Sequence, residues 1–428
     1  MKLRSFHWSS RIERVGRVGL ILIGLGLLLF NFAQIIIRPI GDFHYHWQLG
    51  NDLLTGRSLY LGPGGRPPEY PNPYPPFWAM VHVPLTIISA HLAQILVFLP
   101  LYLGSLGLLL WTLRRLTQRH LPLDRTREFW GTALAMLVAL QFLARDMAEC
   151  GVNIALVAVA WFAIYAWTQH RGWLGGASLG LAIALKMTAA LFVPYFLWKR
   201  QWKIAGTATL FAILFSLTPI LVRGPTLFAT DVREWVAVVR GIGSENASMH
   251  VLGQESTRNF ALRPVLTRLI VNASGYRVDP YGTNLLLLST RTTSVLVYVV
   301  ELSLVIVFAW IAGRSVDNRQ SLAVVYECAG VSLLMLLLSP ITWGHHCVGT
   351  LPAFYLIFRT AFYYRTLPRW MFVPLGYVIL ALGFNRAIIG KQLSALVSGY
   401  SVVTWEVLAL LVLTLGCRGF ALRRAQDI

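Results

Sequence analysis

Charged residues are scarce in this sequence of 428 residues. Only 13% of the residues are charged, whereas a soluble domain typically has about 25%. Acidic residues are the rarer kind, with 18 Asp and Glu against 37 Lys and Arg. So few charges exclude an ordinary soluble surface, and the 56% of hydrophobic residues indicates a protein of the lipid bilayer.

The sequence also lacks any cysteine pairing pattern. Its four cysteines, Cys150, Cys328, Cys347 and Cys417, share no regular spacing and mostly lie in apolar runs. A disulfide framework or a cysteine metal site would need paired spacings. We therefore expect all four to be small buried side chains.

The apolar residues form continuous runs instead of alternating patterns. A membrane helix needs roughly 20 consecutive apolar residues, whereas a strand of a membrane barrel alternates over about ten. The sequence therefore predicts an all-α polytopic membrane protein, with about twelve transmembrane helices in a single domain over residues 1–428. The predicted spans are 18–37, 92–113, 129–143, 150–167, 204–222, 293–312, 322–338, 345–358, 370–384 and 402–417, with shorter helices at 172–185 and 188–198.

The basic residues predict the orientation of these spans. They cluster on one side of the predicted membrane, in segments 2–17, 114–127, 199–203, 314–319, 359–369 and 418–424. The positive-inside rule makes this side, with both termini, the cytoplasmic side of an inner or plasma membrane. Loop 38–77 and the long segment 223–291, with surface helices around Trp235 and 260–271, then face outward. The net charge of +19 is a topology signal and an attraction to membrane lipids, not a sign of nucleic-acid binding.

Loop 38–77 contains the most concentrated polar pattern, beginning with Asp42 close to His44 and His46. Apolar spacing predicts a short amphipathic helix over 42–54, with 43, 47, 50 and 54 on one stripe. Glycines and prolines after Leu54 predict an irregular loop up to Phe77. Asp42 fits two roles, a general base at the membrane surface or the N-cap of the short helix.

Lys186 lies between two apolar helices that are each too short to span the bilayer alone. A lysine is costly at that depth, so we expect the helices to meet near the outer leaflet with Lys186 facing a polar cavity. A cation there suits a phosphate group. Asn153 begins another span, and its amide can bond to backbone or substrate.

Two further polar groups occur at span boundaries. Asp146 and Glu149 form an acidic pair for which an ion pair with Arg145 is the simplest explanation. Trp343, His345 and His346 follow a helix end. Adjacent histidines point to different helix faces and do not form a metal pair, so no metal is expected. They are candidates either for hydrogen bonding to a phosphate or sugar, with Trp343 stacking on the sugar, or for anchoring at the interface.

The order of these motifs resembles that of a known family. An Asp after the first span is followed by Gly56-Arg57-Ser58-Leu59-Tyr60, Tyr74-Pro75-Pro76, Val152-Asn153, a glycine-rich run ending in Lys186, and Trp343-Gly344-His345-His346. Over roughly residues 18–390 the chain is similar to glycosyltransferase family 87, whose members are membrane enzymes of the GT-C fold class. Two departures are Cys150 and Gly151, where the family commonly has Gly-Gln, and Ala189, where it commonly has Pro.

The resemblance implies transfer of a hexose, with mannose as the typical case, from a polyprenyl-phosphate sugar to a lipid-linked or glycan acceptor on the outer face. It implies inversion at the sugar carbon, with Asp42 as the base and no separate cofactor. The residues expected to bind substrate are His44, His46, Tyr74, Asn153, Lys186, Trp343, His345 and His346. Two alternatives remain open, a transporter or flippase of lipid-linked sugars and a ligase of lipid-linked glycans. The lack of recognisable inverted repeats speaks against the transporter.

Overall fold

The fold is described by a computed structural model covering residues 10–37, 41–62, 72–243, 258–271, 285–314, 316, 318–384 and 386–426. Within these ranges the regular elements are helices, and β-structure is limited to one isolated bridge between Val271 and Leu288. The prediction of an all-α fold is confirmed. The predicted loop 38–77 falls partly on residues 38–40 and 63–71, which lie outside the described residues.

The helices follow the apolar runs of the sequence. In chain order they are α1 (Ser10–Ile37), α2 (Phe43–Thr55), α3 (Pro76–His82), α4 (Ala90–Thr117), α5 (Arg125–Ala148), α6 (Asn153–Thr168), α7 (Gly172–Leu185), α8 (Phe192–Trp198), α9 (Trp202–Leu217), α10 (Ile220–Gly243), α11 (Leu262–Ile270), α12 (Thr290–Ala312), α13 (Leu322–Leu338), α14 (Leu351–Tyr364), α15 (Phe372–Gly383), α16 (Arg386–Gly399) and α17 (Val402–Gln426). Short 3₁₀ segments lead directly into α8, α14 and α15, at Met187–Leu191, Gly344–Thr350 and Arg369–Met371, and another, Val83–Ile87, directly follows α3.

Four helices of the described chain, α4, α5, α12 and α17, are long and apolar enough to cross a membrane. Each contains one of the predicted spans. Two bent pairs, α9 with α10 and α15 with α16, raise the number to six if each pair counts as one span. Several other predicted spans correspond to apolar helices of 10–17 residues, including α6, α7 and α13. A polytopic membrane protein is therefore confirmed, while the number of about twelve spans stays a prediction.

The predicted span 204–222 is wrong in one respect, because the helix does not continue through it. α9 ends at Leu217, and α10 leaves at an angle of 91°. Pro219 explains the break, because proline has no backbone N–H and its ring clashes with the preceding helical turn. Gly224, with a φ of 69°, bends α10 again near its start.

α10 is fastened to the loop that precedes α3. The Trp235 indole Nε1 donates to the carbonyl oxygen of Pro73 at 3.1 Å, and the Ser58 hydroxyl donates to Glu234 Oε2 at 2.7 Å. The helix predicted around Trp235 is thus present, and so is α11 within 260–271. Tyr74 follows Pro73 directly, so these bonds fix its position relative to α10, which runs crosswise to α9.

The basic loops meet at one end of the helix bundle. The Gln320 side-chain carbonyl accepts a hydrogen bond from Arg119 at 3.0 Å, and its backbone carbonyl lies 2.6 Å from Nε2 of His120. Its side-chain amide donates to the carbonyl oxygen of Thr168 at 3.3 Å. The loops α4–α5, α6–α7 and α12–α13 therefore share an end, and α5, α6 and α7 each connect it to the opposite one.

α7 packs closely against α9 through two glycines. A Cβ on Gly176 would lie 2.1 Å from Thr207 Oγ1, and one on Gly180 would lie 2.6 Å from Phe211 Cβ. Glycines four residues apart allow two membrane helices to approach at backbone distance. This contact holds α7 in place, and α7 ends one residue before Lys186.

Replacing Gly180 with alanine tests the contact. The new methyl group would clash with Phe211 and with the α9 backbone, so α7 must shift, at a cost of about 1–3 kcal/mol in the free energy of unfolding. We expect a lower melting temperature for the purified protein in detergent. Gly206→Ala on α9 is the control, because no atom lies within 4 Å of its Cβ position. Equal melting temperatures for the two variants would contradict the close contact.

Candidate active site

Asp42 lies directly before α2, which begins at Phe43 close to the predicted position. Its side chain makes no capping hydrogen bond to the helix, so the N-cap alternative is not supported. Its backbone N–H instead donates to the carbonyl oxygen of Glu149 at 2.7 Å. The carboxylate is partly exposed and does not cap the helix.

Gly41 makes this contact possible. Its φ is 69°, in the left-handed region, and a Cβ at this position would lie 2.0 Å from the Glu149 carbonyl oxygen. Only glycine combines that backbone conformation with so close an approach. The loop after α1 is therefore joined to the turn between α5 and α6.

The surroundings of Asp42 raise the pKa of its carboxyl group from 3.8 to about 6. Burial is the largest cause, the negative charge of Glu149 adds to it, and the positive charge of Lys186 opposes it. A carboxylate with a pKa near 6 binds a proton more strongly than an ordinary aspartate and is still mostly ionised at neutral pH.

The buried face of α2 differs from the predicted stripe. It contains Phe43, His46, Leu49, Gly50 and Leu53, whereas residue 54 is exposed. The reason is the burial of the His46 ring. A polar ring can occupy a buried position when a hydrogen-bond partner is available there, and sequence periodicity does not reveal that partner.

His46 is enclosed by aromatic rings. Its Nδ1 accepts a hydrogen bond of 3.1 Å from the Trp78 indole, and its ring packs edge-on against Tyr74 and Trp78. Burial holds the pKa of His46 well below its usual value, so the ring is neutral. His44, by contrast, is exposed and stacks on Trp47, so it does not join the other predicted residues.

Lys186 lies at the junction of α7 and the Met187–Leu191 segment, as predicted. Its Nζ donates to Asn153 Oδ1 at 2.9 Å and lies 5.7 Å from the centre of the Tyr74 ring. Tyr74 in turn stacks on Trp78 with ring centres 4.5 Å apart. Three predicted site residues from distant parts of the chain are therefore in contact.

Asp146 has a role that the sequence analysis did not assign to it. The predicted ion pair with Arg145 is not formed; the fully buried Asp146 carboxylate accepts a bond from Asn153 Nδ2 at 2.9 Å and one from the backbone N–H of Ile154 at 3.1 Å. Arg145 points away and lies against Gly344, where a Cβ would be 2.9–3.2 Å from its side chain. The signal for Asp146 was its position beside a membrane helix end, where a buried carboxylate needs donors.

Trp343, His345 and His346 are brought together at the start of the Gly344–Thr350 segment. His346 Nδ1 accepts from the backbone N–H of Trp343 at 3.1 Å, and the two rings stack nearly parallel. His345 is buried and packs edge-on against His346 at 4.5 Å. Trp343 is 37% exposed, so its ring face is available to a ligand or to lipid.

A small cavity of about 60 Å³, open to the outside, lies between α6, α7, α8 and α13. Lys186, Asn153 and His346 contribute its polar wall, and Trp161 and Phe192 belong to its apolar wall. Asp42 does not line the cavity, but it lies close enough to Lys186 to be affected by its charge. The arrangement suits a ligand with an anionic head and an apolar tail.

Comparison with known proteins supports the same conclusion. The chain is 25% identical to the polyprenol-phosphate-mannose-dependent α-(1-2)-phosphatidylinositol pentamannoside mannosyltransferase of Mycolicibacterium smegmatis, over 80% of this chain and 75% of that one. It is 27% identical to the polyprenol-phosphate-mannose-dependent α-(1-2)-phosphatidylinositol mannoside mannosyltransferase of Mycobacterium tuberculosis, over 73% and 67%. No solved structure matches. Because the model of glycosyltransferase family 87 matches residues 72–340, the chain belongs to that family and is a glycosyltransferase, as its motifs predict.

Proposed function

We propose that this enzyme transfers mannose from a polyprenyl-phosphate-mannose donor to a lipid-linked acceptor, with inversion at the sugar carbon and Asp42 as the general base. The proposal rests on two features found together. The Asp42 carboxylate makes no helix-capping hydrogen bond, and the cavity has an apolar wall and a polar wall that includes Lys186 and His346. The names of the relatives support the same donor class.

The cavity supports the donor part of the proposal. A polyprenyl phosphate has one anionic group and a long apolar chain, and the two walls of the cavity match these two parts. The Lys186 ammonium group and the His346 ring are the groups available to the phosphate, since charge-assisted hydrogen bonds are the strong ones. The apolar side chains of α6 and α13 would accommodate the first isoprene units.

The chemistry requires one proton acceptor and stabilisation of one leaving group. The acceptor hydroxyl oxygen attacks the sugar carbon C1, and the bond from C1 to the phosphate oxygen breaks. Asp42 takes the hydroxyl proton, and the polyprenyl phosphate departs already ionised, so it needs no proton. Lys186 offsets the negative charge that develops on the phosphate, with His345 and His346 orienting it.

The acceptor and the membrane orientation follow from different observations. The relatives act on phosphatidylinositol mannosides by name, so a lipid-linked sugar is the acceptor class that we propose. The basic loops that meet around Gln320 would lie in the cytoplasm by the positive-inside rule. The site at the opposite end of α5 and α6 would then face outward.

The first experiment is transfer of radiolabel from polyprenyl-phosphate-mannose to endogenous lipids in membranes that contain the wild type or Asp42→Asn. We expect a labelled glycolipid with the wild type and at least a hundredfold less with the variant, since general base catalysis contributes typically 10²–10⁴-fold. Asp52→Asn is the matched control, because that carboxylate lies on α2, which Asp42 directly precedes, and its partners among the described residues are the nearby Gln48 and Arg57.

Two outcomes would contradict the proposal. Full activity of Asp42→Asn would show that another group is the base. Absence of transfer by the wild type from a panel of polyprenyl-phosphate sugars would favour the transporter or the ligase.

The raised pKa of Asp42 predicts the pH dependence of the reaction. A base must be deprotonated, so kcat/KM should rise with pH, with a midpoint near 6, and level off above it. Glu149→Gln removes a negative charge that raises this pKa, so its profile should be displaced toward lower pH. Initial rates at pH 4.5 to 8.5 in detergent check both expectations, and identical profiles for the two proteins would argue against Asp42 as the titrating group.

A second variant, Gly41→Ala, should also lose activity, although it leaves the Asp42 side chain itself unchanged. Gly41→Ala introduces a methyl group where the Glu149 carbonyl oxygen lies and disfavours the left-handed backbone. The displaced Asp42 should lower kcat by roughly 10²-fold, as misplacement of a catalytic group by about 1 Å does. Gly104→Ala, with no atom within 4 Å of its Cβ position, should retain wild-type rates. Wild-type kcat for Gly41→Ala would mean that Asp42 does not need this anchor.

A further inference from the structure

We propose that Asp146 and Asn153 are positioning residues that hold Lys186 toward the donor phosphate while keeping the carboxylate away from its ammonium group. The inference rests on the proposed function and concerns how the phosphate site retains its positive charge. It is carried by a chain of two hydrogen bonds, Lys186 Nζ to Asn153 Oδ1 and Asn153 Nδ2 to Asp146 Oδ1, each 2.9 Å long.

Asp146 is bound as an acceptor at both oxygens. Oδ1 accepts from the Asn153 amide, and Oδ2 accepts from the backbone N–H of Ile154 in the first turn of α6. Its exposed fraction is 0%, so these protein donors replace water. The positive end of the α6 dipole favours a carboxylate at this place.

This binding determines which way the Asn153 side chain faces. An amide has one acceptor side and one donor side. Because Asp146 can only accept at Oδ1, the NH₂ group of Asn153 must face it, and the amide oxygen must face Lys186. The lysine is therefore bound by an oriented dipole at a fixed position, and Asn153 itself is 7% exposed.

A carboxylate in direct contact with Lys186 would have a different effect. A contact ion pair satisfies the ammonium group so well that an incoming phosphate must compete with the carboxylate, and buried pairs of this kind are costly to break. A neutral amide holds the ammonium group through a weaker bond and leaves its charge uncancelled at short range. The Asp146 carboxylate does not contact the lysine and instead orients the Asn153 amide.

The turn between α5 and α6 provides the space for this chain. A Cβ on Gly151 would lie 2.2 Å from Asp146 Oδ1 and 2.9 Å from Asn153 Nδ2. Any side chain there would separate the two groups. The backbone N–H of Gly151 also donates to the Asp146 carbonyl oxygen at 2.8 Å, which closes the turn.

The test exchanges the two side chains, in the double variant Asp146→Asn with Asn153→Asp. The exchanged pair has the same atoms, the same net charge and the same three possible hydrogen bonds. Asn at 146 can donate to position 153 and accept from Ile154, and Asp at 153 accepts from Lys186. The only difference is that the carboxylate now contacts the lysine.

We expect the exchange to preserve the melting temperature but not donor affinity. The KM for polyprenyl-phosphate-mannose and the inhibition constant of the product, polyprenyl phosphate, should each rise about tenfold or more, the equivalent of one charge-assisted hydrogen bond. The kcat value should change less. The single variant Asp146→Asn should lose both stability and affinity, because an NH₂ group replaces one of the two carboxylate oxygens and cannot accept the hydrogen bond that this oxygen accepts.

A purely structural role predicts the opposite result. If the exchange restored melting temperature and donor affinity together, the position of the charge would not matter and the proposal would be overturned. Asn153→Ala is a second variant in case the double variant does not fold, and a KM within twofold of the wild type there would also overturn it. Failure of the proposed function is distinct, since it would appear as no transfer and no binding of polyprenyl phosphate by the wild type.

Discussion

The candidate site depends on the turn between α5 and α6 and the helix ends beside it, because they hold both Asp42 and Lys186 in place. The Glu149 carbonyl oxygen accepts the backbone N–H of Asp42, while the Asp146 side chain orients the amide that binds Lys186. Asp42, from the loop after α1, and Lys186, from the end of α7, are thereby connected through the four-residue turn 149–152 and the helix ends that flank it. Asp42 and Lys186, the proposed base and the proposed phosphate-binding cation, belong to distant parts of the sequence, and no regular element aligns them directly.

Two lysines of the bundle, Lys186 and Lys199, have different kinds of hydrogen-bond partner. Lys199, at the basic end, forms an ion pair of 3.0 Å with Glu327, which also binds Arg418 at 2.8 Å. There a carboxylate contacts the ammonium group directly, and the cluster fastens α12, α13 and α17. Lys186 is bound by an amide instead. In the proposed function, this neutral partner leaves the charge of Lys186 uncancelled at short range.

Local features of this chain were predictable from its sequence. The helix after Asp42, the junction at Lys186 and the span at 322–338 each follow from apolar periodicity and from the cost of a charge in the membrane. The ordered motifs also led to the correct family. What escaped prediction depends on contacts between distant segments. The burial of His46 requires the Trp78 indole, and the pairing of Asp146 with Asn153 requires the left-handed turn at Cys150.

α10 runs crosswise to α9, and this orientation determines where membrane lipid can contact it. If α9 crosses the bilayer, α10, at 91° to it, lies along the surface, and the Trp235 bond to Pro73 connects that surface helix to the Tyr74 ring beside Lys186. Lateral pressure in the headgroup layer acts on α10 from outside. A displacement of α10 would then be transmitted through the Trp235–Pro73 hydrogen bond to the Tyr74 ring beside Lys186.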